Sequence, residues 1–92
     1  MTIKVQRIVW VRQAREALSE ILEYRYSKIP TAYEIVRKEI INASKNIVFS
    51  EQYQQDDVFI EYRRIIVRDY KILYKVKEGT VYILNIVCTK AL

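Results

Sequence analysis

The apolar positions along this chain change their period from two to about three and a half, and then back to two. From Ile3 to Trp10 they alternate loosely, with Ile3, Val5 and Val9 on one side and Ile8 and Trp10 on the other, as in a strand. Lys4 and Arg7 flank that run and suit an edge, where charge discourages stray pairing. From Arg12 to Tyr26, the residues Ala14, Ala17, Leu18, Ile21, Leu22 and Arg25 recur at helical spacing, which predicts one amphipathic helix. Ser27 to Thr31 is a break, because Pro30 pushes Ile29 out of helical geometry. Thr31 with Glu34 matches a capping box and predicts a second helix starting there. That helix runs to about Val48 on a stripe of Ala32, Ile35, Val36, Ile40, Ala43 and Ile47. The short link makes the two helices an antiparallel hairpin.

Ser50 to Glu61 loses the periodicity. With Glu51, Asp56, Asp57, Glu61 and three glutamines it reads as a solvated surface loop leading to the sheet. Period two then returns. Ile65 and Val67 share a face with Arg63, and Ile66 shares the other with Tyr62, Arg64 and Arg68. Tyr70, Ile72, Tyr74 and Val76 oppose Lys71, Leu73, Lys75 and Lys77. A slip of one residue there would bury the lysines. Glu78-Gly79 predicts a tight hairpin turn. In Thr80 to Cys88, Val81, Ile83, Asn85 and Val87 oppose Tyr82, Leu84, Ile86 and Cys88. Being apolar on both faces apart from Asn85, this strand is expected at the sheet centre. The order β-α-α-β-β-β defines an α+β domain over residues 1–92: an antiparallel sheet with an α-helical hairpin packed on one face.

Charge adds a direction to this scaffold. The net charge is +5, and six cations (Arg63, Arg64, Arg68, Lys71, Lys75, Lys77) fall in the paired strands around Asp69. An anionic partner is expected, and these strands are the expected surface for it, on the side that the helices leave open. The single cysteine, Cys88, rules out an internal disulfide and makes a reducing cytoplasm the expected compartment. It reads as a small buried hydrophobe. With no histidine and one cysteine, a zinc site and histidine-based nucleophilic catalysis are not expected. One glycine excludes a glycine-rich phosphate loop. No metal or other cofactor is expected.

Four segments together resemble the RelE/ParE toxin superfamily of bacterial toxin–antitoxin modules. They are Trp10 with Ala14-Arg15-Glu16-Ala17-Leu18, Ala32 in the second helix, Tyr62-Arg63-Arg64-Ile65-Ile66-Val67 leading into Tyr70-Lys71-Ile72-Leu73-Tyr74-Lys75-Val76, and Val81 to Val87. The third segment carries most of the likeness. The resemblance implies a toxin neutralised by a cognate antitoxin. It also implies one of two targets, DNA gyrase for ParE-like members or mRNA on the ribosome for RelE-like members. Lys71 stands where the family has a clamping arginine, keeping the charge without the bidentate fork. The chain ends Cys88-Thr89-Lys90-Ala91-Leu92, without the arginine, histidine or tyrosine tail that ribosome-dependent cleavers carry, and this favours the gyrase target.

An RNase of this kind would need cations facing the phosphorane and a proton acceptor. Lys71 and Arg64 are the candidate catalytic residues. Arg63, Arg68, Tyr74, Lys75 and Lys90 are the candidate binding residues, either for that substrate or for the antitoxin. Arg63 and Arg64 point to opposite faces, so one of them is expected to pair with the acidic loop or a helix carboxylate. Tyr70 and Tyr74 alternate with apolar residues and are expected in the core. Glu61 beside Arg63 reads as a surface ion pair. The degenerate alternative is a non-toxic domain that only binds.

Overall fold

Proline, placed one residue before the expected cap, sets where the helical hairpin turns. The computed structural model describes residues 2–90, with β1 (Arg7–Trp10), α1 (Arg12–Tyr26), α2 (Pro30–Lys45), β2 (Arg63–Val67), β3 (Tyr70–Lys77) and β4 (Thr80–Cys88). α2 starts at Pro30 rather than capping on Thr31. Ile29 occupies the cap position without a side-chain hydrogen bond. Pro30 at the first helical position gives up no needed N–H and brings helical φ with it. The first turn closes from Tyr33 N–H to the Ile29 carbonyl at 3.0 Å. The helix also ends at Lys45, short of Val48.

The sheet order is β1-β4-β3-β2. β2, β3 and β4 form antiparallel hairpins, whereas β1 joins β4 in parallel. The rest of the chain therefore acts as the long crossover that a parallel pair requires, and the sheet is mixed. β4 is central, as its two apolar faces suggested, and β1 and β2 are the edges. Both helices lie on one face, where Ala14, Leu18 and Leu22 of α1 and Val36 and Ile40 of α2 meet Ile65, Tyr70, Ile72, Tyr74, Val81, Ile83 and Ile86. The expected α2 stripe is only partly right. Ile35 is exposed, while Ser44 is buried and bonded, accepting from Trp10 Nε1 at 3.1 Å and donating to the Ile41 carbonyl at 2.6 Å.

β4 departs from strict alternation. The register shifts between Leu73 and Tyr74 of β3, which pair with Asn85 and Ile83 of β4 and leave Leu84 as the extra residue. A bulge of this kind re-aims every later side chain. Ile86 thereby enters the core and Asn85 leaves it, the reverse of the assignment read from period two. Asn85 Oδ1 accepts the Ile86 N–H at 2.9 Å, so the disturbed ladder keeps a partner.

Both tight turns use left-handed backbone, at Arg68 (φ 53°) in one, and at Glu78 (φ 52°) and Gly79 (φ 80°) in the other. Two consecutive positive φ values suit a two-residue hairpin. A methyl group on Gly79 would meet its nearest neighbour, the Lys4 carbonyl oxygen, at 3.6 Å, which is ordinary contact. Gly79→Ala is therefore expected to cost about 1–2 kcal/mol from φ alone, read as a lowered urea midpoint with an unchanged slope.

Candidate functional site

The side of the sheet away from the helices carries Lys71, Leu73, Lys75 and Lys77 of β3, as the alternation requires. It is not bare. The segment of residues 50–62 folds back over its middle. Asp56 N–H bonds the Tyr62 carbonyl at 2.9 Å, and Arg64 N–H bonds the Gln54 carbonyl at 3.1 Å. Phe59, Glu61 and Tyr62 then border a hollow with Leu73, Leu84 and Asn85. Leu73 is only 2% exposed as a result.

That segment brings Asp56 to the cations. Its carboxylate is buried and receives four donors. Oδ1 takes Lys71 Nζ at 2.6 Å and an Arg64 guanidinium N–H at 3.3 Å; Oδ2 takes the backbone N–H groups of Val58 at 3.0 Å and Phe59 at 2.8 Å. Lys71, above all, holds the Asp56 carboxyl well below the usual carboxylate range, opposed by burial and reinforced by the backbone donors and Arg64. Asp57 adds a second carboxylate to Arg64 at 3.3 Å. Of the acidic run, Asp56 is thus not a solvated loop residue but the centre of the cluster. The sequence signal was an Asp whose next backbone N–H groups fold onto it, a local turn habit of Asp, followed by apolar Val58-Phe59-Ile60.

The expected site residues separate. Lys71 and Arg64 come together, but on a carboxylate of their own chain rather than outward toward a partner. A lysine base needs a neighbourhood of cations; Lys71 meets an anion. Arg63 lies toward the helix side and donates to the Tyr53 carbonyl at 2.7 Å; it is Arg64, not Arg63, that pairs with the acidic loop, and no Glu61–Arg63 pair forms among the described residues. Arg68 pairs with Glu39 of α2. Lys90 reaches Asp69 at 3.5 Å; Ala91 and Leu92 of the expected tail lie outside the described residues. Tyr74 is fully buried under the helices and has no surface to offer a partner. Lys75 alone of the named residues is exposed with no carboxylate within salt-bridge distance among the described residues.

Two further groupings escaped sequence reasoning because their members are distant in the chain. Arg25 of α1 pairs with Asp69 at 3.2 Å and lies 5.6 Å from the Tyr70 ring centre, so the arginine of the apolar stripe fastens α1 to the β2–β3 turn. The Asp69 carboxyl is lowered chiefly by that arginine. Cys88, expected inside, is exposed at the end of β4. It borders a cavity of about 340 Å³ with Glu20, Ile21, Tyr24, Arg25 and Tyr70. The hydroxyls of Tyr70 and Tyr74 are buried without a hydrogen-bond partner among the described residues, and burial above all pushes both phenols up to about 12.

Two helices on one face of a four-stranded mixed sheet of order β1-β4-β3-β2 make up the fold of this chain, and the same fold is found in a solved structure. That structure is a chain of the chromosomal ParDE TA system from P. aeruginosa. The two are 17% identical, with a TM-score of 0.77, over 94% of this chain and 98% of that chain. No family model matches the sequence, and no curated protein matches it.

Proposed function

We propose that this chain is the toxin of a toxin–antitoxin module, held inactive by a cognate antitoxin, and that it arrests growth through DNA gyrase in the manner of ParE-like toxins. The observation that carries the toxin reading is the fold likeness, which extends over nearly the whole of both chains. The Asp56 cluster supports the gyrase target over RNA cleavage. The two side chains a nuclease would direct at phosphate are joined to a carboxylate in the resting chain. A toxin that works by binding needs no free base. Val58, Phe59 and Ile60, with Ile66 of β2, are exposed large apolar side chains, and such surface fits a protein partner better than water. The proposed compartment is the cytoplasm, where gyrase is.

Induced expression without antitoxin tests this, scoring DNA breaks and mRNA 5′ ends in the same culture. The expected result is arrest with gyrase-linked DNA breaks and intact mRNA. Lys71→Ala, checked for folding, is expected to keep the arrest. In-frame cuts in translated mRNA, lost in Lys71→Ala, would assign the ribosome-dependent nuclease activity instead. No arrest at all would leave a domain that only binds.

A further inference from the structure

The end of β4 and the last turns of α1 enclose the cavity of about 340 Å³ that Cys88 borders. Tyr70 and Cys88 are register partners, and Cys88 stands two residues beyond the buried Ile86, so both side chains point to the helix side of the sheet. Glu20, Ile21, Tyr24 and Arg25 form the opposite wall, at the spacing of four that puts Glu20 with Tyr24 and Ile21 with Arg25 on one helix face. The volume is at the small end of the range for small-molecule sites, about 300–1,000 Å³. Ile21 and the rings of Tyr24 and Tyr70 make the wall largely apolar. Its polar groups are few. Arg25 Nη1 donates to Asp69 at 3.2 Å, while Nη2 turns to Cys88 Sγ at 3.8 Å. The Glu20 carboxylate has no cation within 4.0 Å among the described residues. The Tyr70 hydroxyl is buried and unpartnered among them, and an unsatisfied buried hydroxyl in a folded chain calls for a reason. Cys88 itself is exposed, and its thiol donates to the Lys90 carbonyl at 3.6 Å.

We propose that Cys88 is a modification site, where the chain forms a mixed disulfide with a small peptide-like thiol that carries carboxylate and ammonium groups and whose body sits in this cavity. The Cys88 thiol gives its proton to water, and the thiolate attacks one sulfur of the small thiol's disulfide. That S–S bond breaks as the new bond to Cys88 Sγ forms, and the other half leaves as a thiolate that takes up a proton. One disulfide is exchanged for another, so no further oxidant enters. A cation beside an exposed cysteine marks the reactive kind, and Arg25 supplies it. The same guanidinium has five N–H donors and keeps some for a carboxylate of the small thiol. The Tyr70 hydroxyl adds a donor, and Glu20 meets the ammonium. Ile21 and the two rings cover the apolar stem between those groups. The site lies on the helix side of the sheet, away from the Asp56 cluster, and stands whichever target the chain has.

The test is intact-mass spectrometry of the reduced full chain over time with oxidised glutathione, and separately with cystamine, which has ammonium groups but no carboxylate. Cys88 is the single cysteine, so every adduct reports on it. The ratio of the two rates on the folded chain, divided by the same ratio in urea, cancels the thiol's own reactivity. That selectivity for glutathione is expected to be roughly tenfold, the worth of one hydrogen bond to a charged group, and dithiothreitol should remove the adduct. Tyr70→Phe deletes an unpartnered hydroxyl, so the unfolding midpoint should not fall, and selectivity is expected to drop about threefold. Arg25→Gln, checked for folding, is expected to abolish it. Lys38→Ala, an exposed cation on α2, is expected to change nothing. The proposal is overturned if the folded chain stays unmodified where the urea-unfolded chain reacts, or if selectivity is close to one. It is also overturned if Tyr70→Phe and Arg25→Gln both behave as wild type, which would leave a plain exposed thiol, or if the main product is a disulfide-linked pair of chains.

Discussion

Asp56→Asn is expected to be among the most damaging single changes in the chain although it removes no bulk. The amide can still accept from the Val58 and Phe59 N–H groups, so the loop turn has its acceptor. What disappears is the charge that Lys71 approaches to 2.6 Å and Arg64 to 3.3 Å. Two cations, each with a side chain about one-sixth exposed, then lose their main counter-charge, and breaking a buried pair costs more than the pair was worth. Thermal unfolding should show a clear drop in midpoint, part of which Lys71→Met restores in the double variant. Additive losses instead would mean the two groups do not interact energetically.

The same cluster sets an acid limit. A carboxyl held below its ordinary value of 3.8 contributes stability that is complete above that value and is lost as pH falls through the lower folded-state value. Wild type should therefore weaken most steeply below about pH 4, between the ordinary carboxyl value and the lower folded-state one. Asp56→Asn, less stable at neutral pH, should show a flatter dependence in that window. Asp69, lowered by Arg25, remains in both proteins, so the slopes differ in degree rather than vanish. Parallel curves for the two proteins would deny Asp56 this role.

Leu73→Ala should destabilise by about 2–5 kcal/mol, the range for emptying a packed site, and lower the unfolding midpoint by roughly 10–30 °C. Leu73 projects away from the helices, on the side that would be solvent if the sheet's second face were open. Its burial depends on Phe59 and Tyr62 folding over it. A loss well under 1 kcal/mol would mean that residues 50–62 do not cover the sheet in solution. Because that segment also carries Asp56, such a result would undermine the charge cluster with it.

How far the chain could be read depended on the range of the interactions. The α1 stripe, the alternation of β3 and the Glu78-Gly79 turn were legible because each is local: helix and strand periods and turn preferences act over a few residues. The central place of β4 was legible because a strand buried on both faces must be apolar on both. The β4 bulge was not, because Leu84 becomes the extra residue only when β3 is laid beside it. The α2 start went to Thr31 because the capping pattern ignores that Pro30 itself can open a helix. The candidate site was half legible. Its cations stood in the sequence, but their partners did not, since Asp56 lies in a loop whose path no period describes.

The sequence by itself determined the element order, the apolar faces and the excess of positive charge on the last three strands, all consequences of side-chain type at fixed spacing. Only the tertiary structure decided which of those cations is available. Returning residues 50–62 over the sheet places one carboxylate on Lys71 and Arg64, while Lys75 of the same strand as Lys71 meets none among the described residues. Coulomb attraction acts through distance in space, and that distance is settled by packing rather than by order along the chain.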